Sequence, residues 1–448
     1  MKRFKIILMI LISWSLSIQF NYSQSITWLG FISPGGAGSS AEGVSADGRI
    51  VVGSSSAPSN QYHAFMWSQN TGMIDLGTLG GHTSYAYDIS DSGNVIAGRS
   101  FVSLVGNVIR GFRWTPQTGM QDLGTLGGPE SGAFAVSSDG SSIAGNSLTT
   151  DPFSPTHACI WRDTSGLIDL GAPSSNSVSF AYCISSNGLI VGGVARFSSV
   201  YDHAAIWSGN WIDLGTLGGN ESWAYGISGD GSAVVGSSRT SEGYIHAFRW
   251  SATTGMQDLG VLAPGYNSEA IDISSDGSTI IGWASNEYGQ DRAVRWKNGG
   301  AIEDLNLTYA SILGNAKLLI ARDVSPDGRY IVGTGYRNGV NEAFILDTSP
   351  SVDVELDSPA PYKFSLAQNY PNPFNPSTKI SWQSPVRSWQ TLKIYDMLGN
   401  EIKTLVNEYR DAGEYNVEFN ASDLPSGVYY YKLSAGNYYD VKKMIVIK

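Results

Sequence analysis

The chain has 448 residues and a formal charge of −11, with 53 glycines, 13 tryptophans, two cysteines and only 15% charged residues. Nucleic acid and anionic lipid are poor partners for such an acidic chain, because phosphate binding needs clustered Lys and Arg. Abundant glycine and tryptophan with few charges fit an all-β chain rich in turns rather than a helical one.

Lys2, Arg3 and Lys5 precede an apolar run from Ile6 to about Leu16, and Ser23 supplies a small residue for cleavage, which predicts a signal peptide over 1–23. A spanning helix needs about 20 apolar residues, whereas Ser13, Ser15 and Ser17 interrupt this run, and no later segment is long or apolar enough to span. The expected product is exported, either secreted or attached to the outer-membrane surface. Without the three leader bases its charge is near −14, and Gln24 to Pro361 holds 31 acids against 15 bases.

A unit repeats through residues 24–348. Gly48, Gly93, Gly140, Gly188, Gly231, Gly277 and Gly328 each follow Asp, Asn or Ser at intervals of 43 to 51 residues, the period of four-stranded propeller blades. Other columns travel with them: Ala41 to Ala321 open the units, a Val or Ile follows three residues later, and a serine from Ser45 to Ser325 comes next. Each copy reads as four strands. In the fifth these are AYGIS, SAVVGSS, HAFRW and MQDLG, and Asp230-Gly231 reads as a type I′ hairpin, whose two central residues need positive φ. A second glycine five residues on, from Gly53 to Gly333, is expected to end the second strand at a bulge or close backbone approach. Trp67, Trp114, Trp161, Trp207, Trp250, Trp296 and Leu346 end the third strands and are expected to wedge one blade against the next.

The ends of the repeat are complementary. Ile26 to Gly36 resembles the end of a unit without its preceding strands, and the seventh copy stops without its last strand. Pairing of the two predicts seven blades closed by the N-terminal strand, which removes exposed sheet edges. An open β-solenoid is the alternative architecture. Asn306 to Ala321, the longest insertion, has room for a short helix.

Several columns invite chemical readings. His63, His157, His203 and His246 share one column, but equivalent positions on different blades lie too far apart to share a metal, whose bonds are about 2 Å; a local hydrogen bond is expected instead. The column Asp75, Asp122, Asp169, Asp213, Asp258 and Asp304 is expected to serve a turn or backbone partner. A glycosidase needs two carboxylates within about 5–10 Å, and no pair stands out. Cys159 and Cys183 fall in different strands of different blades, which disfavours a disulfide. No catalytic residue, metal or cofactor is expected.

Aromatic residues recur in the variable loops: Tyr62, Phe101, Phe153, Tyr201, Tyr244, Tyr288 and Tyr336 between the second and third strands, and Tyr85, Trp223, Tyr266 and Tyr309 between units. Exposed rings among Asn, Ser and Asp suit sugar stacking or a protein contact. Tyr85, Tyr201, Trp223, Tyr244, Tyr266 and Tyr288 are the candidate ligand residues. His63-Ala64-Phe65 and His246-Ala247-Phe248, beside GMIDLGTLGG and GMQDLGTLGG, make residues 26 to 347 resemble the HAF family of extracellular repeats. That resemblance implies an exported repeat protein without an assigned activity.

Residues 349–361 gather proline, serine and acids and read as a linker. Tyr362 to Lys448 holds alternating runs TLKIYDM, EIKTLV, EYNVEF, GVYYYKL and VKKMIVIK between turns, predicting a small Ig-like β-sandwich. NYPNPFNPSTKI, KIYDMLGNEIKTL and FNASDLPSGVYYYKL, with the basic-apolar end KKMIVIK, make this domain resemble the type A sorting domain of the type IX secretion system. Its motif residues here are Asn369, Tyr370, Pro371, Asn372, Pro373, Phe374, Gly427 and Tyr429. The resemblance implies a Bacteroidetes or Chlorobi source, the type IX machinery as partner, passage through the outer membrane and removal of this domain. Together these features point to a non-catalytic binding protein that engages glycan or a surface protein. A polysaccharide-degrading enzyme on a propeller scaffold and a structural coat component are the alternatives.

Overall fold

The computed structural model describes residues 24–58, 61–153, 155–197, 200–348, 363–436 and 438–448; the expected signal peptide and linker lie outside them. The chain divides into two compact units, Met1–Asp353 and Val354–Lys448.

The first unit is a propeller-like succession of four-stranded antiparallel sheets. Sheet 1 comprises Ser39–Val44, Ile50–Ser56, Tyr62–Ser68 and Gly72–Asp75. Sheets 2 to 6 repeat this order, with first strands Ser84–Ile89, Gly127–Val136, Ser179–Ile184, Gly218–Ile227 and Ser268–Ile273. Sheet 7 contains Lys317–Val324, Tyr330–Arg337 and Val340–Asp347, and Ser25–Trp28 adds to its edge with Ser25 opposite Asp347 and Trp28 opposite Phe344. The fragment before the first repeat therefore supplies the strand missing from the last.

The Asp-Gly turns are not type I′. Gly48 takes φ +70°, but the only described non-glycine residues with positive φ are Asn298 and Asn338. Each turn is a longer loop: Gly48 N–H donates to Ser45 O at 2.9 Å, and Asp47 Oδ1 accepts from Arg49 N–H at 3.0 Å. Ser45 Oγ donates to the same carboxylate oxygen and accepts from Ile50 N–H. The side chains of the Ser-x-Asp-Gly motif thus complete the loop, so only its glycine needs the left-handed region.

The second glycine does not end its strand. Gly53 sits within Ile50–Ser56, and a Cβ there would collide with Ser40 O; the same carbonyl approach recurs at Gly98, Gly145, Gly193, Gly236, Gly282 and Gly333. Opposite each of these glycines the first strand carries one extra residue. Ala41 pairs with Gly53 and Gly43 with Val52, leaving Glu42 unpaired, and the same shift occurs in all seven sheets. This is a β-bulge, which bends the strand and re-aims a side chain.

Apolar clusters fill the space between successive sheets. The third-strand tryptophans take part: Trp161 packs with Val95 and Ala97 of sheet 2, and Trp296 with Val235 and Ala247 of sheet 5. A further cluster joins Val44, Phe65 and Trp67 of sheet 1 to Val332, Ala343 and Ile345 of sheet 7. The insertion after Asp304 forms two single-turn helices, Leu305–Thr308 and Ala310–Leu313, the first capped by Asp304. Cys159 and Cys183 are both buried and free, on different sheets.

The second unit consists of two antiparallel sheets. Ser365–Leu366, Ser377–Ser384 and Gly413–Asn420 form one; Glu401–Arg410, Ser388–Tyr395, Gly427–Ala435 and Tyr438–Val446 form the other. Trp382 and Phe419 from the first share a core with Leu392, Tyr431 and Met444 from the second. Ser377–Ser384 is a strand that overlaps the NYPNPFNPSTKI motif.

Candidate functional site

The seven bulges position one side chain each: Glu42, Tyr87, Phe134, Tyr182, Tyr225, Ile271 and Arg322. All are half-buried, and six of them meet a neighbour from another sheet although they lie far apart in sequence. Tyr87 and Phe134 have ring centroids 5.2 Å apart, Phe134 and Tyr182 meet edge-on at 5.8 Å, and Tyr182 and Tyr225 lie 6.2 Å apart. Arg322 Nε lies 3.7 Å from Glu42 Oε2. The result is an aromatic arc from sheets 2 to 5 beside a charged pair from sheets 7 and 1.

The residue two positions before each bulge pairs with the second strand one step further on, as Tyr85 does with Arg99 and Trp223 with Ser237. Two predicted ligand residues, Tyr85 and Trp223, therefore sit on strands beside the arc, not in loops. Tyr85 stacks with Tyr87 at 6.5 Å, and the Arg99 guanidinium lies over both rings. Phe180, at the matching position in sheet 4, stacks with Tyr182 at 6.2 Å.

Burial sets the electrostatics here. It pushes the Tyr87 phenol up to about 12, opposed by Arg99 and assisted by Glu42. Tyr182 rises to about 12 for the same reason, with Asp202 adding, and burial followed by Glu269 raises Tyr225. Burial also raises Glu269, against the Trp283 indole and Arg322. The phenols stay protonated near neutrality and act as hydrogen-bond donors, not bases.

Beyond the bulge lies a second tier: Gly43, Asp88, Ala135, Cys183, Gly226, Asp272 and Asp323. Its carboxylates bind backbone of the following sheet: Asp88 Oδ2 accepts from Val136 N–H at 2.7 Å, Asp272 Oδ2 from Val324 N–H at 3.1 Å, and Asp323 Oδ2 from Val44 N–H at 2.6 Å. The turns beyond them are also joined. Ala46 N–H donates to Asp91 O, and the relay continues through Ser138, Ser186, Gly229 and Ser275 to Pro326 O. Pro326 has no N–H to return to sheet 1, so at that junction the Asp323–Val44 bond takes the role.

Beside Glu42 and Arg322 a cavity of about 670 Å3 opens between sheets 7 and 1, with Tyr62, Tyr336, Asn341 and Asp291 also on its walls. None of the six predicted ligand residues lines it. Tyr201, Tyr244 and Tyr288 are exposed, and the Tyr266 hydroxyl donates to Glu287 O at 2.9 Å. Tyr309, one of the expected loop aromatics, is buried against Arg295. Sequence reading gathered aromatics by loop and so missed Tyr87, Phe134, Tyr182 and Tyr225, whose common signal is the position right after the column alanine.

The histidine and aspartate columns are partners. Nδ1 of His63, His157 and His203 lies 2.9 Å from an oxygen of Asp75, Asp169 and Asp213, and His246 Nδ1 lies 2.7 Å from Asp258. Each of these aspartates also accepts from the backbone N–H two residues on, as Asp75 does from Gly77 at 2.7 Å. Among the described residues no group of three or more His, Cys, Asp or Glu side chains is arranged to hold a metal, and no helix is long and apolar enough to cross a membrane.

In the second unit, Asn369, Phe374 and Tyr429 of the sorting motif are buried, whereas Tyr370 is exposed. Asn369 Nδ2 donates to Thr378 Oγ1 at 2.9 Å, and its backbone N–H donates to the Tyr431 hydroxyl at 2.8 Å. Part of the motif therefore holds the fold together.

Residues 368–448 match the secretion system C-terminal sorting domain. The chain thus carries a type IX secretion sorting tail, which implies secretion and cell-surface attachment. No curated protein matches it. Among solved structures, an oligogalacturonate lyase in complex with manganese aligns with TM-score 0.47 and 13% identity over 73% of this chain and 96% of that one. PorZ, a surface component of the type IX secretion system of Porphyromonas gingivalis, aligns at 0.40 and 12% over 89% and 58%. TolB from Acinetobacter baumannii aligns at 0.40 and 12% over 68% and 65%. At these levels none carries an argument about activity.

Proposed function

We propose that residues 24–348 are a closed seven-bladed β-propeller of HAF-type repeats and that the mouth bearing the bulge residues binds a glycan at the cell surface. Signal peptide 1–23 is removed on export, 349–361 is a linker, and 362–448 is an Ig-like sandwich that engages the type IX machinery. The observation that carries the glycan reading is the arc of Tyr87, Phe134, Tyr182 and Tyr225 beside the pair Glu42 and Arg322. A pyranose has an apolar C–H face and a hydroxyl rim; aromatic rings cover the former and charged groups bind the latter.

Binding is favoured over catalysis because the carboxylates around the mouth are engaged in structural bonds. Asp88, Asp272 and Asp323 hold backbone N–H groups, and Glu269 accepts from the Trp283 indole at 3.2 Å. A polysaccharide-binding screen of the exported chain tests the proposal, with Tyr182→Ala/Tyr225→Ala and Tyr244→Ala/Trp223→Ala as paired variants. The arc variant is expected to lose binding at least tenfold. Retention in both variants moves the site elsewhere, and a wild-type chain that binds no polysaccharide overturns the glycan reading in favour of a protein partner.

A further inference from the structure

The cavity between sheets 7 and 1 combines aromatic and charged walls. Tyr62 and Tyr336 flank it, exposed to 36% and 46%, and neither hydroxyl has a hydrogen-bond partner among the described residues. Gly38 keeps the wall open, since a Cβ there would stand 2.8 Å from the Tyr62 hydroxyl. At the inner end Ser40 Oγ donates to Glu42 Oε1 at 2.5 Å and contacts Thr334 Oγ1 at 2.6 Å, which fixes the Glu42 carboxylate. Arg322 Nε is buried with no hydrogen-bond acceptor and stands 3.7 Å from Glu42 Oε2. Asn341 and Asp291 complete the polar wall.

We infer that this cavity is a saccharide subsite that takes an uncharged hexose unit of the glycan bound at the mouth, a deepening that rests on the glycan reading above. The charge pattern selects the class. An anionic sugar meets Glu42 and Asp291 in a body with 31 acids and 15 bases. Glu42 already faces the Arg322 guanidinium at 3.7 Å, so it offers a cationic sugar no unpaired charge. Neighbouring hydroxyls suit both, donating to the carboxylate and accepting from the guanidinium, while the two tyrosine rings cover the C–H faces. The subsite exists only where the last repeat meets the first, because Ser40, Glu42 and Tyr62 come from sheet 1 and Arg322, Thr334 and Tyr336 from sheet 7.

The test is calorimetric titration of the exported chain with cellohexaose, laminarihexaose and maltohexaose, against hexagalacturonate and a glucosamine hexamer. At least one neutral hexamer is expected to bind at least tenfold tighter than either charged one, and Tyr62→Ala/Tyr336→Ala is expected to weaken it at least tenfold. Tyr62→Phe/Tyr336→Phe keeps the ring packing and is expected to cost about threefold from the lost hydroxyls, so the idea stays testable if the alanine variant fails to fold. Wild-type affinity in either folded Tyr62/Tyr336 double variant, together with loss in Tyr182→Ala/Tyr225→Ala, overturns the subsite and leaves the mouth as the glycan site. Tighter binding of a charged hexamer overturns the ligand class alone. No binding by the wild-type chain to any hexamer or polysaccharide overturns both readings.

Discussion

The Val44 amide donates to Asp323 Oδ2 at 2.6 Å, joining residues 279 apart in sequence and tying the first sheet to the last. Asp323 is one of three aspartates, with Asp88 and Asp272, whose pKa burial raises; Asp88 reaches about 7. A carboxyl raised in the fold contributes stability that is complete below its unfolded value, near 3.9, and is lost as pH climbs through the folded value. The turn aspartates Asp139, Asp230 and Asp276 have the opposite sign. Hydrogen bonds from Ser141, Ser232 and Ser274 lower them, so their contribution disappears as pH falls.

The melting temperature is therefore expected to fall between pH 5 and pH 8. Asp88→Asn, which cannot ionise, is expected to flatten that fall, on the order of 1–3 kcal/mol at pH 8. Melting curves across this range check it; a variant with the wild-type slope contradicts the assignment.

Gly236→Ala places a methyl group against the Trp223 carbonyl across the bulge. Overpacking of this kind costs about 1–3 kcal/mol, read by urea denaturation. Because the bulge carries Tyr225 into the arc, ligand affinity is expected to fall in the same variant.

Trp28 pairs with Phe344, with ring centroids 6.1 Å apart, and the Arg337 guanidinium lies over its indole. Removing Ser25–Trp28 uncovers Val340–Asp347 as an edge strand, an invitation to pair with another chain. Size-exclusion chromatography of the truncated chain is expected to show oligomers and a lower melting temperature; an unchanged monomer speaks against the terminal strand as the closing element.

In the sorting tail the buried Tyr431 hydroxyl accepts from Asn369 N–H at 2.8 Å and donates to Ala367 O at 2.7 Å. Tyr431→Phe leaves two backbone groups without their partner at a cost of about 1–3 kcal/mol. Less protein is expected at the cell surface, measured by surface proteolysis beside total expression.

The repeat was legible from the sequence because its determinants are local. The Ser-x-Asp-Gly loop closes within five residues through its own side chains, and the glycine needs a φ that others avoid. The terminal fragments announced their pairing through strand complementarity, and the tail through motifs placed in order. The type I′ reading failed for an equally local reason: Asp47 hydrogen-bonds its own turn instead of entering positive φ.

Sequence by itself determined the all-β class, the seven copies, the acidic body and the sorting tail, since each rests on residue type and spacing. Tertiary structure alone decided which side chains share a site. Glu42 and Arg322 are 280 positions apart, and Tyr87, Phe134, Tyr182 and Tyr225 belong to four different repeats. They meet because a bulge opposite a glycine re-aims one residue per sheet and the packing of sheet against sheet brings those residues together. No pattern within a single repeat encodes that contact. It also placed Tyr309 in the core and left Tyr62 and Tyr336 facing a cavity, outcomes set by neighbours from other sheets.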